Sequence, residues 1–130
     1  MALRSSDLAL VALGGALGAM SRYAVGTAVP HPGGTWPWAT FSVNVTASLA
    51  IGVLAGWAYW RHTAHWVRPL LMTGFLGGFS TYSTFAVDTV SLAAAGSGGL
   101  AAAYVIVTLL VCVIAVGLGT VVAQAVWRDA

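Results

Sequence analysis

Asn44, Arg22 and the run Ser80-Thr81-Tyr82-Ser83-Thr84 offer chemistry because each places hydrogen-bonding or charged groups within an otherwise apolar stretch. An asparagine carries two N–H donors and a carbonyl acceptor, a hydroxyl carries one donor, and a guanidinium is permanently charged. Such groups suit the handling of an anion better than bond-making chemistry. Tyr82 and Phe85, three apart, add two rings on one helical face, and ring edges carry partial positive charge. Each residue also has a plainer use. Asn44 can bond helix to helix or donate to a permeating anion. Arg22 can snorkel to the headgroups or make a vestibule that attracts anions, since a cation at membrane depth lines a pathway or pairs internally. Asp88 can pair with Arg22 or simply mark the end of its span.

Enzymatic chemistry finds little support. His31, His62 and His65 all lie in connecting segments, without the spacing of two histidines and a carboxylate on one helix that a catalytic metal needs. No Ser/His/Asp arrangement or nucleotide-binding loop stands out. The single cysteine, Cys112, excludes an internal disulfide and a cysteine metal cluster.

The elements that position these residues follow from composition. The 130-residue chain is 59% hydrophobic and 6% charged, with five arginines, no lysine, three aspartates and no glutamate. That is too little charge to solvate a small domain, so the apolar surface must face lipid. The pI near 9.1 does not indicate nucleic acid, because the arginines, at 4, 22, 61, 68 and 128, form no patch. With about 20 residues needed per crossing, the chain reads as one domain, 1–130, with four spans at about 8–29, 38–60, 67–95 and 100–127. The first is read as a retained span rather than a cleaved signal, since Arg22 interrupts the expected cleavage region. The third would be about 44 Å long as one helix, beyond the hydrocarbon thickness. Its density of glycine and hydroxyl residues predicts a break near 77–80, and freed backbone at that depth requires a protein or water-filled lining. Both termini and the central loop share one side, and counting arginines places that side in the cytoplasm.

Polar and small residues recur at steps of four, which keeps them near one helical face. The stripes are Gly14, Gly18, Arg22 and Gly26; Thr40, Asn44, Ser48, Gly52 and Gly56; Thr73, Gly77 and Thr81; and Tyr104, Thr108 and Cys112. Close helix packing accounts for the glycines. It accounts less well for a carboxamide, an arginine and five hydroxyl residues at a helix break.

The run Gly74-Phe75-Leu76-Gly77-Gly78-Phe79-Ser80-Thr81-Tyr82-Ser83-Thr84-Phe85 resembles the G-x-x-G-G-x-T-T-F-S-T-F signature of the Fluc/CrcB fluoride channels. Gly14-Gly15-Ala16-Leu17-Gly18-Ala19-Met20-Ser21-Arg22-Tyr23 is similar to the family's G-G-x-x-G-A-x-x-R-Y, and Val43-Asn44 to its second-span V-N, in the same order across essentially the whole chain. The resemblance implies an all-α integral membrane protein of four transmembrane helices, the third broken, assembled as an antiparallel, dual-topology homodimer in the bacterial inner membrane. It implies passive export of fluoride, and a structural sodium ion at the dimer interface held by backbone carbonyls that map to Gly77 and Ser80. It further implies a fluoride pathway through Asn44, the ring pair Tyr82 and Phe85, and the fourth-span track Tyr104, Thr108 and Cys112, with Arg22 at a vestibule. The hydroxyls of Thr81, Ser83 and Thr84 join that pathway on physical grounds. A small, strongly hydrated anion needs donors to replace its water and several weak sites to release it. Against the family pattern, Ser80 replaces a threonine, Tyr82 a phenylalanine, Cys112 a frequent hydroxyl residue and Ala47 a glycine. A thiol is the weaker donor, so the donor track is expected to end at Thr108.

Two other classes compete. A four-span proton-coupled drug antiporter needs a membrane-embedded carboxylate, for which Asp88 is the only candidate. A membrane assembly subunit would use the glycine stripes but has no need of the hydroxyl-rich break.

Overall fold

The computed structural model describes residues 4–128, and all their regular structure is helical. Helix α1 spans Ser5–Ala28 and α2 spans Trp38–Trp60. The third segment is two pieces. Its first half, α3, is a π-helical stretch Arg68–Leu76 that continues into α-helix over Gly77–Phe79; its second half, α4, spans Tyr82–Ala94. Helix α5 spans Gly98–Trp127. At 1.5 Å per residue, α1, α2 and α5 are about 36, 34 and 45 Å long, each enough to cross a bilayer, and all three are apolar enough to do so. The third segment, divided in two, has no single helix of that length.

The interruption is narrower than the predicted one and falls later. Gly77 remains helical at φ −65°, ψ −35°, whereas Ser80 (φ −68°, ψ 158°) and Thr81 (φ −149°, ψ 121°) are extended. Gly74 and Gly78 sit in helix because their role is close approach to α1, not backbone freedom, whereas a side chain at Gly77 would meet open space. A methyl group on Gly14 would strike the Leu70 carbonyl oxygen, one on Gly18 that of Phe75, and one on Gly78 that of Gly15. Helix α1 therefore lies with its backbone against α3. Helices α2 and α5 pair the same way, through Gly52 against the Val116 carbonyl and Gly119 against that of Leu49. Small residues permit such contact, and dispersion between backbones then holds the helices where lipid supplies no hydrophobic force.

The hairpin from α4 to α5 closes with a Schellman turn: Gly96 is left-handed at φ 77°, the Ser97 N–H donates to the Leu92 carbonyl at 3.0 Å, and the Gly96 N–H donates to that of Ala93 at 3.1 Å. Beneath it lies a cluster of buried large side chains, Phe85, Leu92 and Tyr104, with Trp36 and Phe41 packed alongside. Tyr104 meets the Trp36 ring edge-on at 5.3 Å and Phe85 at 5.2 Å. Much of α5's remaining surface is exposed and apolar, including Ile106, Leu110, Val113 and Ile114, as a lipid-facing helix requires.

Candidate functional site

The break is organised by Asn44. From the middle of α2 its Oδ1 accepts the Thr81 N–H at 2.8 Å, and its Nδ2 donates to the Thr81 carbonyl at 3.0 Å. Both backbone groups of an extended residue between two half-helices are thus satisfied by one carboxamide. Leaving either unpaired would cost about 1–3 kcal/mol. Only one of the two Nδ2 hydrogens is used, so Asn44 retains a donor. The two readings of this asparagine, helix bond and free donor, are compatible.

Each side of the break is capped. Thr81 begins α4, its Oγ1 accepting the Thr84 N–H at 3.1 Å while donating to Thr84 Oγ1 at 3.0 Å; the Ser83 hydroxyl lies 3.3 Å from Thr81 Oγ1. A helix N-terminus carries partial positive charge and free N–H groups, which favours an anion there. At the end of α3, Arg22 Nε donates to the Gly78 carbonyl at 3.2 Å, placing a cation at a helix C-terminus, the favourable sign. Diverting the Thr81 N–H to Asn44 also deprives the Gly77 carbonyl of the partner it would have in a continuous helix.

Arg22 and Asp88 do not pair. Asp88 is buried and accepts the Thr40 hydroxyl at 2.6 Å, a short hydrogen bond. Of the two readings of Asp88, the ion pair is the one not made. The Thr40–Asp88 pair was not foreseen from sequence, although both residues stood out there. Their juxtaposition spans 48 residues and depends on how α4 packs against α2.

Three grooves surround the break. One, of about 210 Å³, is lined by Asn44, Thr81, Tyr82, Phe85, Thr108 and Cys112, with Ser48, Ser80 and Leu109 completing it. Thr108 is 4% exposed and its hydroxyl has no hydrogen-bond partner. A second, of about 440 Å³, brings Arg22 together with Thr40, Thr81 and Thr84. A third, of about 220 Å³, holds Gly77, Ser80, Ser48 and Met72. Thr81 therefore walls both the Arg22 groove and the groove carrying Thr108. Tyr82 is 81% exposed and its ring centre lies 6.0 Å from that of Phe85. Two candidates fall outside the grooves: Ser83 is exposed on α4, and Tyr104 is fully buried in the aromatic cluster with its hydroxyl unpartnered. Ser48, in the second stripe, lines two of the grooves without having been named as a candidate; its step of four from Asn44 was the available signal. Among the described residues no group of three or more His, Cys, Asp or Glu side chains is placed to hold a metal.

Known proteins resemble this chain over most of its length. Residues 9–120 match the family described as CrcB-like protein, Camphor Resistance (CrcB). A protein of Rhodospirillum centenum named Fluoride-specific ion channel FluC is 50% identical over 105 residues, covering 79% of this chain and 83% of its own. One of Novosphingobium aromaticivorans with the same name is 44% identical over 99 residues, 74% of this chain and 79% of its own. Fluoride-specific ion channel FluC 1 of Mycobacterium tuberculosis is 43% identical over 122 residues, 92% of each chain. With the family match running from α1 into α5 and relatives of this similarity covering most of the chain, this integral membrane protein belongs to the CrcB-like family.

Proposed function

We propose that the protein is a fluoride-selective channel that lets fluoride leave the cell passively and so lowers its toxic concentration inside. The observation that carries the reading is the groove at the helix break, where Asn44 keeps a spare N–H, Thr108 keeps an unpartnered hydroxyl, and Phe85 and Tyr82 present rings. The names of the relatives support it. A desolvated anion would exchange its water for these donors one after another, entering from the Arg22 groove past Thr84 and through Thr81, which walls both grooves. Ser83 would act at the exposed edge of that route, and Tyr104 would enter it only by turning its buried hydroxyl toward Thr108.

The working unit in this reading is an antiparallel homodimer. A half-buried, extended Ser80–Thr81 segment at membrane depth and an 81% exposed Tyr82 beside a polar groove both call for a second protein wall. The structural sodium would be held by the carbonyls of Gly77 and Ser80. They share the groove of about 220 Å³, and Gly77 has lost its helical partner. Two such carbonyls from each copy would supply an oxygen ligand set without any carboxylate, and the ion would raise the local potential for an anion.

The deciding experiment loads purified protein into liposomes with potassium fluoride, adds a potassium ionophore and follows efflux with a fluoride electrode, with a chloride-loaded control. Fast fluoride release with negligible chloride release is expected. Equal leakage of both ions, or no release from folded dimers, would overturn the reading.

A further inference from the structure

Cys112 is the chain's single cysteine, half-buried on α5 one turn beyond Thr108, and it lines the same groove as Asn44, Thr81 and Phe85. Its neighbour Thr108 is 4% exposed with an unpartnered hydroxyl, which marks this end of the groove as a place for a polar or hydrated guest rather than for packed side chains. No carboxylate lines the groove among the described residues. The space is small, about 210 Å³, and an added group at the sulfur must occupy part of it.

We propose that Cys112 is a covalent shut-off site, at which a small, neutral sulfenylating reagent forms a mixed disulfide that obstructs the groove and stops fluoride. The inference rests on the channel reading above. In the step, the Cys112 thiolate attacks the sulfenyl sulfur of an alkyl thiosulfonate; the new S–S bond forms as the S–SO₂ bond breaks. The electron pair leaves on the sulfinate and the thiol proton passes to solvent. The cysteine sulfur is oxidised and the sulfonyl sulfur is reduced to sulfinate.

The test treats channel-containing liposomes with methyl methanethiosulfonate and measures fluoride efflux together with the intact mass. Addition of one methylthio group with a fall in flux of about tenfold or more, equivalent to about 1.4 kcal/mol on the barrier, and recovery with a reductant, is the expected result. Cys112→Ser should show its own basal flux and no response to the reagent. Full modification with unchanged flux would overturn the proposal, as would no mass change in folded protein when the detergent-unfolded chain reacts. Loss of flux in Cys112→Ser on treatment would overturn it too. Absence of flux before any reagent is added would instead sink the channel reading and this inference with it, so the two failures are told apart.

Discussion

Asn44 does two jobs with one amide: two of its atoms hold the extended backbone of Thr81, and a remaining N–H is left over at the groove. Aspartate at this position could still accept the Thr81 N–H but could not donate to its carbonyl, and its charge would repel an anion. Asn44→Asp is therefore expected to cut fluoride flux by about tenfold or more, a barrier change of about 1.4 kcal/mol. It should also lower stability by about 1–3 kcal/mol through the orphaned carbonyl, read as an earlier unfolding transition in detergent. Wild-type flux would remove Asn44 from the pathway. Sequence named the residue and its two uses but not their coexistence, because Thr81 lies 37 residues away and its partner is a backbone group that no pattern displays.

The pairing of α1 with α3 rests on glycines that no larger residue can replace without moving backbone. A Cβ at Gly18 would meet the Phe75 carbonyl and stand 2.7 Å from the Phe79 nitrogen, whereas one at Gly117, on α5, meets nothing within 4 Å. The same substitution should thus have opposite effects at the two sites. Gly18→Ala is expected to destabilise by about 1–3 kcal/mol as an overpacked contact, and Gly117→Ala to be neutral or to stabilise by up to about 1 kcal/mol from helix propensity. Thermal unfolding of the purified protein compares them; equal effects would show that α1 does not pack on α3 through this stripe. The stripe itself was legible at steps of four. Which helix it faced was not, since four striped helices can be paired in several ways and the choice depends on backbone approach.

For the molecule as a whole, the half-buried break, the exposed Tyr82 and the unpartnered Gly77 carbonyl are features that one copy leaves unfinished. If sodium completes the assembly through the Gly77 and Ser80 carbonyls, replacing it by potassium during purification should reduce flux at least about tenfold, and returning sodium should restore it. A change of that size corresponds to about 1.4 kcal/mol. Flux that persists through thorough sodium depletion would remove the ion from the working structure.

Composition and periodicity alone determined that this chain lives in lipid, crosses it with apolar helices and breaks its third segment. They could do so because a bilayer punishes charge and unpaired backbone, leaving few solutions for so apolar a chain. The motif Gly74 to Phe85 also pointed to the family. Tertiary structure decided the rest. It moved the break to Ser80–Thr81, because Gly74 and Gly78, which lie against α1, stay helical and Asn44 supplies the bonds that an extended Thr81 lacks. It sent Arg22 to the Gly78 carbonyl and Asp88 to Thr40 in place of an ion pair between them. It buried Tyr104 among Trp36 and Phe85, away from the groove that receives Thr108 and Cys112. Each outcome turns on a distance between residues far apart in the chain, which depends on how whole helices pack and is invisible to local spacing.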